Sequence, residues 1–129
     1  MNEDDQLPIL RGVMALWLLR EVVIAAPPGY VYEPPDYGDC VYVAGGHPSC
    51  LVGHVLVRWG WPVDVLARRH GCIIVEQSGD RPKPFRFSEI TLVAQAILGH
   101  AQRVQNRCLP WTDALEAAEA TAVVWGVRG

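Results

Sequence analysis

Within this 129-residue chain, Cys40, His47, Cys50 and His54 crowd into one short stretch. Thiolates and neutral imidazoles are the ligands that zinc prefers, and four of them close a tetrahedral structural site. Cys50 and His54 are four residues apart and would share one face of a helix. His47 and Cys50 have the two-residue gap of many ligand pairs, whereas the interval from Cys40 to His47 is wider than a zinc knuckle. The same residues support a second chemistry. A thiol at a helix start lies among unsatisfied N–H groups at the positive end of the helix dipole, which favours the thiolate. With His54 or His47 as base, Cys50 would be the nucleophile of an acyl-transferring enzyme. The spacing assigns neither an oxyanion site nor a group to orient the imidazole. We therefore adopt the plainer reading: Cys50 is a small buried side chain, Cys40 is partly buried and the histidines are at the surface. No cofactor follows from that reading.

A second constellation is basic. Two helical segments, 49–59 and 62–70, are joined by Gly60-Trp61, the length and short turn of a helix-turn-helix. In a DNA-binding reading Arg58 would meet phosphates, while Asp64, Arg68 and Arg69 would face the bases. The second segment is only about two turns long and begins with apolar residues, where base-reading side chains should stand. A plain packing hairpin is the simpler expectation.

The third constellation is aromatic. Residues 27–39 hold four prolines, and Tyr30, Tyr32, Tyr37 and Tyr42 follow one another through and just past this loop. Such a connection exceeds the usual length in small domains, which points to a binding role. The tyrosines are expected to lie as lids over the core with their hydroxyls in water. Together with His47 in the following turn they form the expected contact surface for a protein partner.

These residues need a scaffold, and the hydrophobic pattern supplies a mainly α one: about five helices with a minor two-stranded β element. A first helix follows Asp5 with Pro8 in its first turn, is apolar nearly all round and ends at Pro27-Pro28-Gly29, so it is expected at the buried centre. Cys40-Val41-Tyr42-Val43 reads as a strand, Gly45-Gly46 as a turn, and Ser49 as the cap of a helix that Gly60 stops. The short helix 62–70 turns Val65 and Leu66 inward. Cys72-Ile73-Ile74-Val75 is a second strand, expected to pair with the first. Ser88 is expected to cap the next helix, which buries Ile90, Val93, Ala94, Ile97, Leu98, Ala101, Val104 and Cys108. On its other side Gln95, Gln102, Gln105 and Asn106 make an amide face expected in solvent. His70 and His100 read as helix-end or surface residues. A last helix, begun at Leu109 or Thr112, turns Trp111, Ala114, Leu115 and Ala118 inward, and an apolar tail follows as strand or docked coil. Trp59, Trp61, Trp111 and Trp125 are expected core anchors; two exposed together would mark an interface.

Composition limits the function classes. One domain spanning 1–129 is long enough to bury a core without disulfides or metal. Half of the residues are hydrophobic, which excludes a disordered chain. The net charge of −3 conceals an acidic segment 1–40, a basic segment 41–107 and a mildly acidic end. The acidic start Met1-Asn2-Glu3-Asp4-Asp5 is unlike a secretory signal, and the apolar run 13–26 is interrupted by Arg20-Glu21 and short of a membrane span. A cytoplasmic protein with reduced thiols is expected, away from membranes.

Cys40-Val41-Tyr42-Val43, the run Gly45-Gly46-His47-Pro48-Ser49-Cys50-Leu51-Val52-Gly53 with Leu56, and Ala101-Gln102, Gln105-Asn106 and Pro110-Trp111 with Ala114-Leu115 resemble small uncharacterised proteins of actinobacteria and their phages. The similarity covers about half the chain. Asn106 stands where those proteins resemble Asp, and Arg107-Cys108 where they resemble a glycine turn. The resemblance implies a phage or actinobacterial origin and carries no activity. The sequence thus points to a non-enzymatic regulatory or protein-interaction module. A helix-turn-helix DNA-binding protein is the alternative, and a Cys50-based thiol enzyme or zinc protein the third reading.

Overall fold

The computed structural model describes residues 7–33, 41–67 and 88–127. Among the described residues five helices pack together beside a two-stranded antiparallel sheet, the mainly α architecture that the hydrophobic pattern predicts. The elements are α1 (Gly12–Ala25), β1 (Val43–Ala44), β2 (His47–Pro48), α2 (Leu51–Trp59), α3 (Val63–Ala67), α4 (Leu92–Asn106) and α5 (Trp111–Val124).

Extended pairing trims two of the predicted helices. Leu10 forms a parallel bridge with Ile90: its N–H donates to the Glu89 carbonyl at 3.0 Å, and Thr91 N–H donates back to the Leu10 carbonyl at 3.0 Å. α1 therefore starts at Gly12, well after Asp5. For the same reason Thr91, not Ser88, caps α4, its Oγ1 accepting from Ala94 N–H at 3.2 Å.

The small sheet is a hairpin. Val43 pairs with Pro48 and Ala44 with His47, around Gly45 and Gly46 at φ of 58° and 79°. Two successive left-handed residues are what a two-residue hairpin turn requires, and glycine meets that need without strain. Val43 thus pairs within its own hairpin; the segment expected as its partner, 72–75, lies outside the described residues. The hairpin then closes onto α2. Ser49 N–H donates to the Tyr42 carbonyl at 2.8 Å and Cys50 N–H to the Val41 carbonyl at 3.1 Å. That pairing moves the helix start one residue on, so Cys50 takes the capping position predicted for Ser49. Its Sγ accepts from Gly53 N–H at 3.4 Å. The strand lies directly on the helix at Gly53, where a Cβ would stand 2.1 Å from the Tyr42 carbonyl oxygen.

α1 packs on α2, α4 and α5 through Ala15, Leu16, Leu18, Leu19, Val22 and Val23. Its apolar circumference predicts an enclosed central helix, but Val13, Met14, Trp17 and Ile24 face outward. The reverse holds for α4. Gln95, Gln102 and Gln105, predicted in solvent, are buried, because α4 packs against α1, α2 and α5 together and so buries more than its apolar stripe. α3 buries Leu66, while Val65 is half-buried and 68–70 lie outside the described residues. α5 buries Trp111, Ala114 and Ala118 as predicted, and Thr121 and Ala122 as well. The chain stays helical to Val124, then turns back as Val127 N–H donates to the Ala122 carbonyl at 2.8 Å. No helix among the described residues is long and apolar enough to cross a membrane.

Candidate functional site

Successive turns of α2 place the two most reactive side chains of the cysteine–histidine stretch in different surroundings. Cys50, at the helix start, has no exposure to solvent. Beyond its bond from Gly53 N–H, its sulfur lies 3.9 Å from the Gln102 amide nitrogen, which donates to it. A nucleophile must meet its substrate, and this thiol meets only the core. His54, one turn later, is half-buried with its ring edge-on to Trp111, centroids 5.5 Å apart. His47 is exposed on β2, and Cys40 lies outside the described residues. Among the described residues no three His, Cys, Asp or Glu side chains converge as metal ligands would.

The amide face of α4 is the other side of this arrangement. Gln105 Oε1 accepts from Leu51 N–H at 2.7 Å and from the Trp111 indole N–H at 3.2 Å. One buried carbonyl oxygen thereby satisfies an orphan donor at the start of α2 and the polar atom of the first residue of α5. Gln95 Nε2 donates to the Ile90 carbonyl at 3.0 Å, which ties α4 to the Leu10–Ile90 bridge. These side chains position the elements around them. The sequence signal for them was available in hindsight: Gln95, Gln102 and Gln105 share a helix face with buried Leu98.

Trp111 is the wall between this buried seam and an open cleft. Its indole N–H points to Gln105, while its ring meets Tyr30 edge-on, centroids 4.6 Å apart at 69°. Backbone pairing fixes that meeting: Trp111 N–H donates to the Tyr30 carbonyl at 2.9 Å, beside an antiparallel bridge between Val31 and Pro110. The cleft holds about 310 Å³ and is lined by Tyr30, His54, Arg58 and Trp111, with Val22, Ala25, Ala26 and Pro27 from the end of α1. His54 and Arg58 reach it together because they are four residues apart on α2. Burial, and then the nearby Arg58 guanidinium, hold the His54 pKa below its ordinary 6.5, so its imidazole is neutral at pH 7. Among the described residues no carboxylate pairs with exposed Arg58. Among the described residues the cleft therefore offers one cation, one neutral imidazole, a phenol and apolar walls.

The predicted tyrosine surface is divided. Tyr30 lines the cleft, but Tyr32 and Tyr42 are buried, and the Tyr32 hydroxyl bonds Ser49 Oγ at 2.9 Å. Tyr37 lies outside the described residues. The residues of the DNA-binding reading also separate: Arg58 turns into the cleft, Asp64 is exposed in the first turn of α3, and Arg68 and Arg69 lie outside the described residues. Of the tryptophans expected in the core, Trp111 is buried and Trp59 and Trp61 are half-buried, whereas Trp125 is exposed. In the sequence Tyr30, His54 and Arg58 belong to three separate constellations. Only the fold brings them to Trp111. No family model matches the chain, and no curated protein or solved structure matches it either.

Proposed function

We propose that this chain is a non-enzymatic interaction module, cytoplasmic and of phage or actinobacterial type, that grips a protein partner through the Tyr30–His54–Arg58–Trp111 cleft. The feature it recognises is a carboxylate next to an aromatic or apolar side chain. The observation that carries this reading is the convergence of the Arg58 guanidinium with two aromatic rings and an aliphatic wall on one open cleft. An arginine beside aromatic rings suits such a ligand twice, by a charge-assisted bond to the carboxylate and by ring contact. The burial of Cys50 supports a binding role over a thiol-enzyme role.

The test uses N-acetylphenylalanine as probe and its uncharged amide as control, followed through the Trp111 indole N–H signal in NMR. The acid is expected to shift that signal saturably, the amide to bind at least about tenfold more weakly, and Arg58→Ala to remove the difference. Equal binding of acid and amide, or an unmoved Trp111 signal, would refute the assignment. If duplex DNA instead perturbs Arg58 and Asp64 with a steep salt dependence, the helix-turn-helix reading takes its place.

A further inference from the structure

One face of the molecule, which borders the cleft at Ala25, has the wrong composition for solvent. The outward positions of α1 carry Val13, Met14, Trp17, Glu21, Ile24 and Ala25, so one charge interrupts a row that should be polar on a surface helix. Trp17 is 52% exposed and Ile24 81%. α5 runs antiparallel beside α1. Arg20 and Glu119 form an ion pair at 2.9 Å, and a Cβ on Gly12 would stand 3.3 Å from Val127 Cγ2. In that register Trp17, three residues before Arg20, and Val123, four after Glu119, flank the same stretch of the seam. Val123 is 76% exposed. The ion pair thus pins two apolar side chains at one level.

We infer that this face docks a second copy of the chain, related by a two-fold axis that passes near Trp17. Three observations select that occupant. Val13, Met14, Trp17, Ile24 and Val123 alone leave on the order of 600 Å² exposed. Glu21 within the face and Ala120 beside it bring the area toward the ~800 Å² per partner of a stable interface. A half-exposed tryptophan near its middle, with smaller aliphatic residues around it, is the composition of an interface anchor and its surround. Glu21 stands within the face and Glu116 beside it, with Arg20 already paired, and this acidic charge opposes an anionic lipid surface, which a membrane-binding helix would meet with lysine and arginine.

Sedimentation of the full chain across micromolar to submillimolar concentration tests this. The wild type is expected to pass from monomer to dimer. Trp17→Glu and Ile24→Glu, both at exposed positions, should each weaken the association by roughly tenfold or more with an unchanged circular dichroism spectrum. Val124→Glu is the control, because Val124 is 84% exposed but turned about 100° away from Val123 around α5. A chain that stays monomeric at the highest concentration would overturn the inference. So would a dimer insensitive to Trp17→Glu and Ile24→Glu, or one that Val124→Glu weakens equally. Flotation of monomer with neutral phosphatidylcholine vesicles, lost in Trp17→Glu, would assign the face to lipid instead and also overturn it.

Discussion

The two sides of Trp111 use similar side chains for opposite ends. On the inner side Cys50, Gln102 and Gln105 are polar or reactive groups that have lost all contact with water and act as joints between α2, α4 and α5. On the outer side His54 and Arg58, from the same helix as Cys50, face an open cleft with no carboxylate among the described residues to engage the guanidinium. A residue type therefore does not announce its role; its access to water does. The inner seam should govern stability with no direct part in binding, and the cleft the converse.

Gly53→Ala strikes the inner side hardest. The new methyl group would meet the backbone of Tyr42, which cannot swing aside as a side chain can. We expect a loss of more than about 3 kcal/mol in a urea titration, or failure to fold. Gln105→Leu should cost about 2–4 kcal/mol, because the Leu51 and Trp111 N–H groups lose the acceptor that they share. Arg58→Ala, by contrast, should change stability by no more than about 0.5 kcal/mol while it abolishes the carboxylate preference of the cleft. If Arg58→Ala unfolded the chain, or Gln105→Leu left it as stable as before, the division of labour would fail.

Thiol reactivity sharpens the same contrast at lower cost. Cys108 is exposed and Cys50 is buried, so a maleimide should label Cys108 rapidly and Cys50 only on unfolding. Cys108 also holds a φ of 62°, the left-handed region where glycine is at ease. Cys108→Gly should accordingly stabilise the fold by about 0.5–1 kcal/mol.

The helices, their number and the Gly45-Gly46 turn were legible because periodicity and turn chemistry are local. Leu10–Ile90 pairing, which trims α1 and shifts the α4 cap, joins positions far apart in the chain and leaves no local mark. The burial of Gln95, Gln102 and Gln105 left only one local mark, the helix face that they share with Leu98. An amide is read as solvated until a neighbour such as Leu51 N–H is known to need it. The cleft shows the same limit: the i, i+4 spacing of His54 and Arg58 put them on one face, but only the Val31–Pro110 bridge brings Tyr30 and Trp111 to them.

The central claim, that the cleft is built for an anion beside an aromatic wall, is tested most directly by titrating the His54 imidazole by NMR with and without N-acetylphenylalanine. In the free protein, burial and Arg58 oppose protonation, so the His54 pKa should lie below 6.5. By linkage the contribution of His54 to stability is present above the unfolded value and is lost as the pH falls through the folded one. A bound carboxylate next to the imidazole should reverse the electrostatic part of this. The account predicts that saturating probe raises the His54 pKa and that affinity grows as the pH falls from 8 to about 6. A His54 pKa that starts at or above 6.5, or that the probe leaves unmoved, would contradict it.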